Sequence, residues 1–341
     1  MKLSTYTYDL PEALIADNPP EVRGTSRLLV LQRQSGNLED SRYASIADYL
    51  EPGDLLVLNN TKVIKARLIA KKENGAEREL IVLEKHGHQD DWHQHHVLYR
   101  RRLAAGDTLY IGDTTIQVVR LLGDGIAEVR SQRDLLDLTE AYGKVPLPPY
   151  MHREATAQDV ERYQTVWAKE QGSVAAPTAS LNMTEEILHS LRVKGVSIAY
   201  LTLHVGLGTF LPIRSDEVEE HEMHQEYFEI PAETVEAIQQ TKAAGRRVVA
   251  LGTTVTRTLE YAHDALKEPA RNLSGEADIF IYPGYTFQTI DGLLTNFHAP
   301  KSTVLMLTAA FAGWEHLQRA YHHAVQEQYR FLSYGDSMLI L

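Results

Sequence analysis

The sequence predicts an α/β protein, a large mixed α/β domain with a small β-barrel-like domain inserted into it. Three observations lead there. From residue 185 to residue 328, apolar strand-like runs alternate with helical stretches, the pattern of a largely parallel sheet flanked by helices. From Val63 to about Arg130, short strands recur at close spacing, separated by Asn74-Gly75, Gly106-Asp107, Gly112-Asp113 and Gly123-Asp124-Gly125. That spacing suits a small barrel or sandwich. Leu55 to Leu58 reads as a core strand whose partners arrive only after that stretch, so the β-domain is an insertion. The expected division is 1–62 with 145–341 for the α/β domain and 63–144 for the insert.

In chain order, residues 3 to 17 suggest a short strand and a helix turn begun at Leu10-Pro11-Glu12 and stopped by Asn18-Pro19-Pro20. Arg27 to Arg33 and the residues from Leu38 form a hairpin around Gln34-Ser-Gly-Asn37, and Ile46 to Leu50 is a helix turn ended by Pro52-Gly53. Asp54 to Asn60 is an apolar strand running into two asparagines. Strands of the insert are expected at 65–71, 79–84, 95–99, 108–111, 115–122 and 125–129, followed by a helix over 134–142. Val145-Pro-Leu-Pro-Pro149 is a stiff extended connector. Helices then follow at 185–193, with Thr184 as N-cap and Gly195 as C-cap, and at 232–244, 253–265 and 316–328. Strands are expected at 196–203 and 247–251, and the runs 279–282, 292–296 and 302–311 continue the pattern.

Composition narrows the function classes. The 341 residues are 43% hydrophobic and 23% charged, ordinary for a soluble globular chain with a substantial core. There is no cysteine, which removes disulfides, iron–sulfur clusters and thiol nucleophiles and favours a cytoplasmic protein. No signal peptide or membrane span is expected. With 46 acidic against 34 basic residues the net charge is -12, so any nucleic-acid contact has to be a local basic face. Lys62, Lys65 and Arg67 in one run, and Arg100-Arg101-Arg102, are the candidates.

The densest chemistry lies between Gly172 and Tyr227. His204 ends a strand and precedes the Gly206-Leu-Gly208 turn, the position where open α/β sheets bind ligands. Gly252-Thr253-Thr254 joins a strand to a helix whose first amides suit a carboxylate or phosphate, with Arg257 one turn on. It is not a P-loop, and Gly206-Leu-Gly208 lacks the third glycine of a dinucleotide fingerprint. His221 and His224 have the spacing of one helical face but no third metal ligand, so no metal is expected. The histidines between His86 and His96 read as a solvated hairpin. Asn296 and His298 at the end of an apolar strand have no core reason to exist, and Asp336 sits in a tight turn.

Asp54-Leu-Leu-Val-Leu-Asn-Asn-Thr-Lys-Val-Ile-Lys-Ala-Arg67, Val145-Pro-Leu-Pro-Pro-Tyr150, Val174-Ala-Ala-Pro-Thr178, Leu203-His-Val-Gly-Leu-Gly-Thr-Phe210, Gly252-Thr-Thr254, Ile281-Tyr-Pro-Gly284, Thr295-Asn-Phe-His298 and Ser333-Tyr-Gly-Asp336 occur together and in order. With these motifs, which span nearly the whole chain, the sequence resembles the S-adenosylmethionine:tRNA ribosyltransferase-isomerase family of queuosine biosynthesis. The resemblance implies transfer and isomerisation of the ribosyl moiety of S-adenosylmethionine onto 7-aminomethyl-7-deazaguanine in tRNA. Epoxyqueuosine-tRNA, adenine and methionine would be the products. It implies S-adenosylmethionine as co-substrate, no other cofactor, tRNA as partner and an α/β domain with an inserted β-domain. The oligomeric state stays open, with a monomer as the default. Carried onto this chain, it points to His204, His221, His224 and Asp336 as catalytic candidates. Thr178, Asn182, Gly206, Gly208, Thr209, Phe210, Thr253, Thr254, Arg257, Asn296 and His298 are candidates for substrate binding. Lys62, Lys65, Arg67, Arg100, Arg101 and Arg102 are candidates for tRNA binding. The chain departs from the family pattern at Ser180, Asn182 and Met183, where Gly-Leu-His-Phe is usual, and at Asn60, Lys62 and Lys65. It also has only Tyr99-Arg-Arg-Arg102 in place of an Arg-Pro-Ser-Lys-Arg-like segment. Two alternatives therefore accompany the main reading: a relative acting on another nucleoside or small molecule, and a catalytically silent binding protein.

Overall fold

The computed structural model describes all residues except 88–90, 207, 209–212 and 214. The chain begins with two single 3-10 turns, Leu3–Thr5 and Glu12–Leu14, where a strand and helix turn were expected. The hairpin β1 (Arg27–Leu31) and β2 (Leu38–Arg42) and the core strand β3 (Leu55–Asn59) follow as the apolar runs predict. The short β4 (Thr61–Val63) leads into six strands: β5 (Arg67–Lys72), β6 (Glu77–Val82), β7 (Gln94–Arg100), β8 (Thr108–Ile111), β9 (Thr114–Gly123) and β10 (Ile126–Ser131). These close into a barrel in the order β10-β7-β6-β5-β8-β9, every pairing antiparallel. Alternate inward residues, among them Leu68, Ala70, Leu80, Val82, Val97, Ile116, Val118, Ala127 and Val129, fill its core. Helix α1 (Leu135–Tyr142), capped by the Asp134 carboxylate on Leu136 N–H, packs on β5.

After α1 come α2 (Ala157–Arg162), β11 (Glu170–Ser173), α3 (Glu185–Lys194), β12 (Ser197–Leu203) and β13 (Glu226–Ile230). The chain then runs through α4 (Ala232–Ala243), β14 (Val248–Leu251), α5 (Thr253–Tyr261) and β15 (Leu273–Ala277). It ends with β16 (Gly292–Asn296), α6 (Thr303–Ala312), α7 (Trp314–Gln326) and β17 (Ser337–Ile340). Nine strands form one mixed sheet in the order β15-β13-β12-β3-β14-β16-β17-β1-β2. Its centre is parallel: β12, β3, β14 and β16 all run the same way. That direction sends their carboxyl ends to a single edge of the sheet.

Both faces of the sheet are buried, which is why its central strands read as continuous apolar runs. Leu55, Val57, Val248, Ala250 and Leu293 face α4, α5, α6 and α7, whereas Leu56, Leu58, Val249, Leu251 and Leu294 face α3. Several elements lacked a readable signal. The edge strand β15, Leu273-Ser-Gly-Glu-Ala277, carries too few apolar residues to stand out. Ile279 to Tyr282 is not a strand; the pairing with β13 is made just before it. β17 joins the sheet between β16 and β1 through long-range pairing that no local pattern encodes. Helix α5 ends at Tyr261, not 265, and Gly313 at φ 81° separates α6 from α7.

Candidate active site

The shared edge of the parallel strands opens into a cavity of about 300 Å³. Much of its lining comes from the ends of β12, β14 and β16. Val205 comes from the end of β12, Gly252, Thr253 and Thr254 from the β14–α5 turn, and Thr295, Asn296 and His298 from β16. Tyr150, Thr178, Ala179, Lys301, Leu332 and Ser333 complete the lining, with Ser333 N–H bonded to Tyr150 Oη at 3.1 Å. This is the ligand position that a parallel sheet provides, because polar loop residues gather where the strands stop. Gly252 takes φ 96°, a left-handed turn that brings the first amides of α5 to the cavity. Asn296 accepts a hydrogen bond from Thr178 Oγ1 at 3.0 Å, so two elements far apart in sequence hold one polar wall. His298 Nε2 lies 2.9 Å from Thr295 Oγ1, and burial drives its imidazole down to about 3, well into the neutral form at physiological pH.

A smaller chamber of about 20 Å³ adjoins the first and shares Thr253, Thr254 and Val304 with it. Arg257, one helical turn along α5, lines it together with Glu226 from β13. The two form a buried ion pair, and Arg257 also donates to the carbonyl of Ala277 at 3.2 Å. Glu226 Oε1 additionally accepts the Gly206 N–H at 3.2 Å and lies 3.6 Å from His224 Nε2. Burial raises the Glu226 carboxyl, but the Arg257 charge and the His224 contact outweigh it and hold it low, at about 2. Arg257 is thus tied to the protein, and its Nε has no partner among the described residues.

His204 sits beyond the end of β12, 3% exposed, with Nδ1 2.8 Å from Thr61 Oγ1 and its ring stacked at 6.3 Å on Tyr227. Burial first, then the nearby positive charge of Lys85, lowers it to about 3. Gly172 at φ 142° lets the backbone pass directly against this ring. Gly206 and Gly208 serve close approach too: a Cβ on the first would overlap the Glu84 carboxylate, and on the second the His224 ring. His221 packs edge-on against Phe280 at 5.1 Å. Thr209, Phe210 and His88 lie outside the described residues.

The structure therefore gathers Thr178, Thr253, Thr254, Asn296 and His298 around one cavity, and sets His204, Gly206, Gly208, His224 and Arg257 beside it on the β12–β13 side. Asp336 and Asn182 are not in the cavity lining. Asp336 accepts the backbone N–H groups of Arg27 and Arg330, both at 2.7 Å, and so fixes the start of β17. Among the basic candidates, Lys65 pairs with Glu140 at 2.6 Å, and Arg67 with Glu154 at 2.8 Å and Glu79 at 3.1 Å. Lys62 lies half-buried on β4. Arg100, Arg101 and Arg102 are exposed at the end of β7, and Arg100 is 3.7 Å from Glu79. Sequence reasoning missed Glu226, Tyr150 and Glu84. A single carboxylate, in a strand like Glu226 or just past one like Glu84, carries no signal of the arginine or glycine it meets across the fold.

The family described as queuosine biosynthesis protein matches residues 3–340. The chain belongs to this family. It is 57% identical over 345 residues to a Chlorobium phaeobacteroides protein named S-adenosylmethionine:tRNA ribosyltransferase-isomerase, with all of both chains covered. It is 46% identical over 342 residues to a protein of the same name from Francisella tularensis subsp. novicida, again across both whole chains. A crystal structure of S-adenosylmethionine tRNA ribosyltransferase from Thermotoga maritima is similar at 36% identity and a TM-score of 0.57, covering 98% of this chain and 99% of that one. In this chain, Ser180, Asn182 and Met183 are packing residues. They are 0%, 3% and 0% exposed. Asn182 accepts from Ser26 Oγ at 2.7 Å and donates to the Gly335 carbonyl at 3.0 Å, and Met183 lies in the core between sheet and α3. No helix among the described residues is long and apolar enough to cross a membrane.

Proposed function

We propose that this protein transfers and isomerises the ribosyl moiety of S-adenosylmethionine onto 7-aminomethyl-7-deazaguanine in tRNA, giving epoxyqueuosine-tRNA with release of adenine and methionine. The observation that carries this reading is end-to-end similarity. Relatives 46–57% identical over the full chain bear the name S-adenosylmethionine:tRNA ribosyltransferase-isomerase. S-adenosylmethionine is the co-substrate, and no further cofactor takes part in the proposal.

The residues suit the chemistry. A sulfonium withdraws electrons from C5′, so a hydrogen there is acidic enough for a positioned base. His204 is neutral and already has Nδ1 engaged by Thr61, which leaves Nε2 to meet a substrate. The amides of Thr253 and Thr254 at the start of α5 favour the amino-acid carboxylate. The amide of Asn296 and the imidazole of His298 offer hydrogen bonds to the leaving adenine across the cavity. His221 and His224 sit at the β13 side of the same edge, and the exposed Arg100, Arg101 and Arg102 offer phosphate contacts to the tRNA.

The test is to incubate the protein with S-adenosylmethionine and tRNA carrying 7-aminomethyl-7-deazaguanine, and to follow adenine and the modified nucleoside by mass spectrometry. Adenine and epoxyqueuosine in equal amounts are expected. Adenine without modified tRNA points to another acceptor, and ligand binding without any adenine points to a silent binding protein; either result overturns the reading.

A further inference from the structure

The chain leaving barrel strand β6 crosses to the α/β domain. Leu83 N–H still bonds the His96 carbonyl in the barrel at 3.0 Å, but Lys85 N–H already bonds the Gly172 carbonyl of β11 at 2.9 Å. Between them Glu84 is 8% exposed, and its carboxylate lies directly against Gly206. One residue further, His86 Nε2 is 3.5 Å from Glu84 Oε1 and its Nδ1 is 3.1 Å from Glu276 Oε2 on β15. Glu276 Oε1 also accepts the Gly87 N–H at 2.8 Å. One imidazole thus serves two carboxylates. The Glu84 contact first, and Glu276 after it, raise His86 to about 9, so it is a cation at neutral pH. Lys85 turns its ammonium toward the Tyr227 ring, 6.0 Å from the centroid.

Glu84 Oε2 is buried and has no hydrogen-bond partner among the described residues. A buried carboxylate oxygen without a partner carries a desolvation cost that folding alone does not explain. Gly206 is the one residue type that makes room for it, because any Cβ there would overlap the carboxylate. Gly206 ties this carboxylate to the candidate site: Glu226 accepts the Gly206 N–H at 3.2 Å, and His204 lies two residues before it in the chain. We propose that Glu84 is a binding residue for a primary ammonium of the substrate pair, delivered by the barrel to Gly206 of the α/β domain. This rests on the function proposed above. Both substrates carry such a group, the amino-acid ammonium of S-adenosylmethionine and the aminomethyl group of the acceptor base, and their shared chemistry is what Glu84 recognises. A carboxylate matches it by charge and by a charge-assisted hydrogen bond.

The experiment compares full-length wild type, Glu84→Gln and Glu276→Gln. Glutamine keeps the shape of Glu84 and removes its charge. Affinity for S-adenosylmethionine is read by calorimetry and turnover on tRNA carrying 7-aminomethyl-7-deazaguanine by mass spectrometry. Glu84→Gln is expected to lose about 10- to 100-fold, the size of one hydrogen bond to a charged group. If the amino-acid ammonium is the ligand, the loss appears as weaker S-adenosylmethionine binding. If the aminomethyl group is, that binding is unchanged and kcat/KM for tRNA falls. Glu276→Gln, which opens the same His86 contact, is expected to keep both. Glu84→Gln matching wild type in both measurements overturns the inference, as does Glu276→Gln matching the Glu84→Gln loss. Should Glu84→Gln not fold, Glu84→Asp, which keeps the charge but shortens its reach, is expected to show an intermediate loss, and wild-type behaviour of that variant overturns the inference. Wild type failing to modify tRNA overturns the parent function instead, so the two failures are distinguishable.

Discussion

At the scale of single residues, burial decides what each polar group can do. His204 and His298 are both driven down to about 3 by desolvation, so both stay neutral through the physiological range. In the unfolded chain each takes a proton near pH 6.5. Acidification below that value therefore loads protons onto the unfolded state first, and stability falls as pH drops from about 6.5 toward 3. Denaturant midpoints measured between pH 7.5 and 5 are expected to decline, and less steeply in His298→Gln. For His204→Ala, turnover is expected to fall by about 10²- to 10⁴-fold with a small change in S-adenosylmethionine affinity, the signature of a lost proton acceptor. Near-normal turnover would remove His204 from the mechanism. Asn182 behaves differently, since its side-chain bonds run to Ser26 and Gly335 behind the cavity. Asn182→Ala is expected to cost about 1–3 kcal/mol of stability, seen in denaturant melts, while leaving the KM for S-adenosylmethionine near wild type.

At the scale of elements, the β14–α5 unit concentrates the design. The strand delivers Gly252 to a left-handed turn, the helix start faces the large cavity, and Arg257 one turn later faces the smaller one. Glu226 on β13 compensates Arg257, which ties α5 to β13 through a buried ion pair. Breaking such a pair from one side leaves a buried charge alone. Arg257→Met is expected to destabilise the fold by about 3–5 kcal/mol in urea unfolding, whatever it does to substrate binding. A variant as stable as wild type would show that Glu226 finds another partner. Much of this unit was legible in the sequence, because an apolar strand, a glycine and two threonines before a helix are local signals. Glu226 was not, because nothing near it in sequence marks it as the counter-ion of a helix 31 positions away.

At the scale of the whole molecule, a net charge of -12 is set against a barrel whose exposed arginines cluster at one strand end. The two basic runs seen in the sequence are not equivalent in the fold. Lys65 and Arg67 are engaged by Glu140, Glu154 and Glu79, whereas no ion pair of Arg101 or Arg102 occurs among the described residues. Removing Arg101 and Arg102 together is expected to weaken tRNA binding several-fold and to lower the slope of log affinity against log salt by about 0.7–0.9 for each phosphate no longer neutralised. Lys65→Ala is expected to change that slope less. Equal effects from both variants, measured by filter binding across salt concentrations, would place the RNA on the other face.

The sequence by itself determined the fold class, the six barrel strands, most helices of the α/β domain and the family, because these rest on local periodicity, turn residues and ordered motifs. Tertiary structure alone decided which candidates share a cavity. Parallel pairing of β12, β3, β14 and β16 brings residues 205, 252–254 and 296–298 to one edge. The same packing turns Asn182 and Asp336 away from it and presses Glu84 of the barrel onto Gly206. Side-chain type is written along the chain, but proximity across 100 or more positions follows from strand order and burial, which no single stretch of sequence contains.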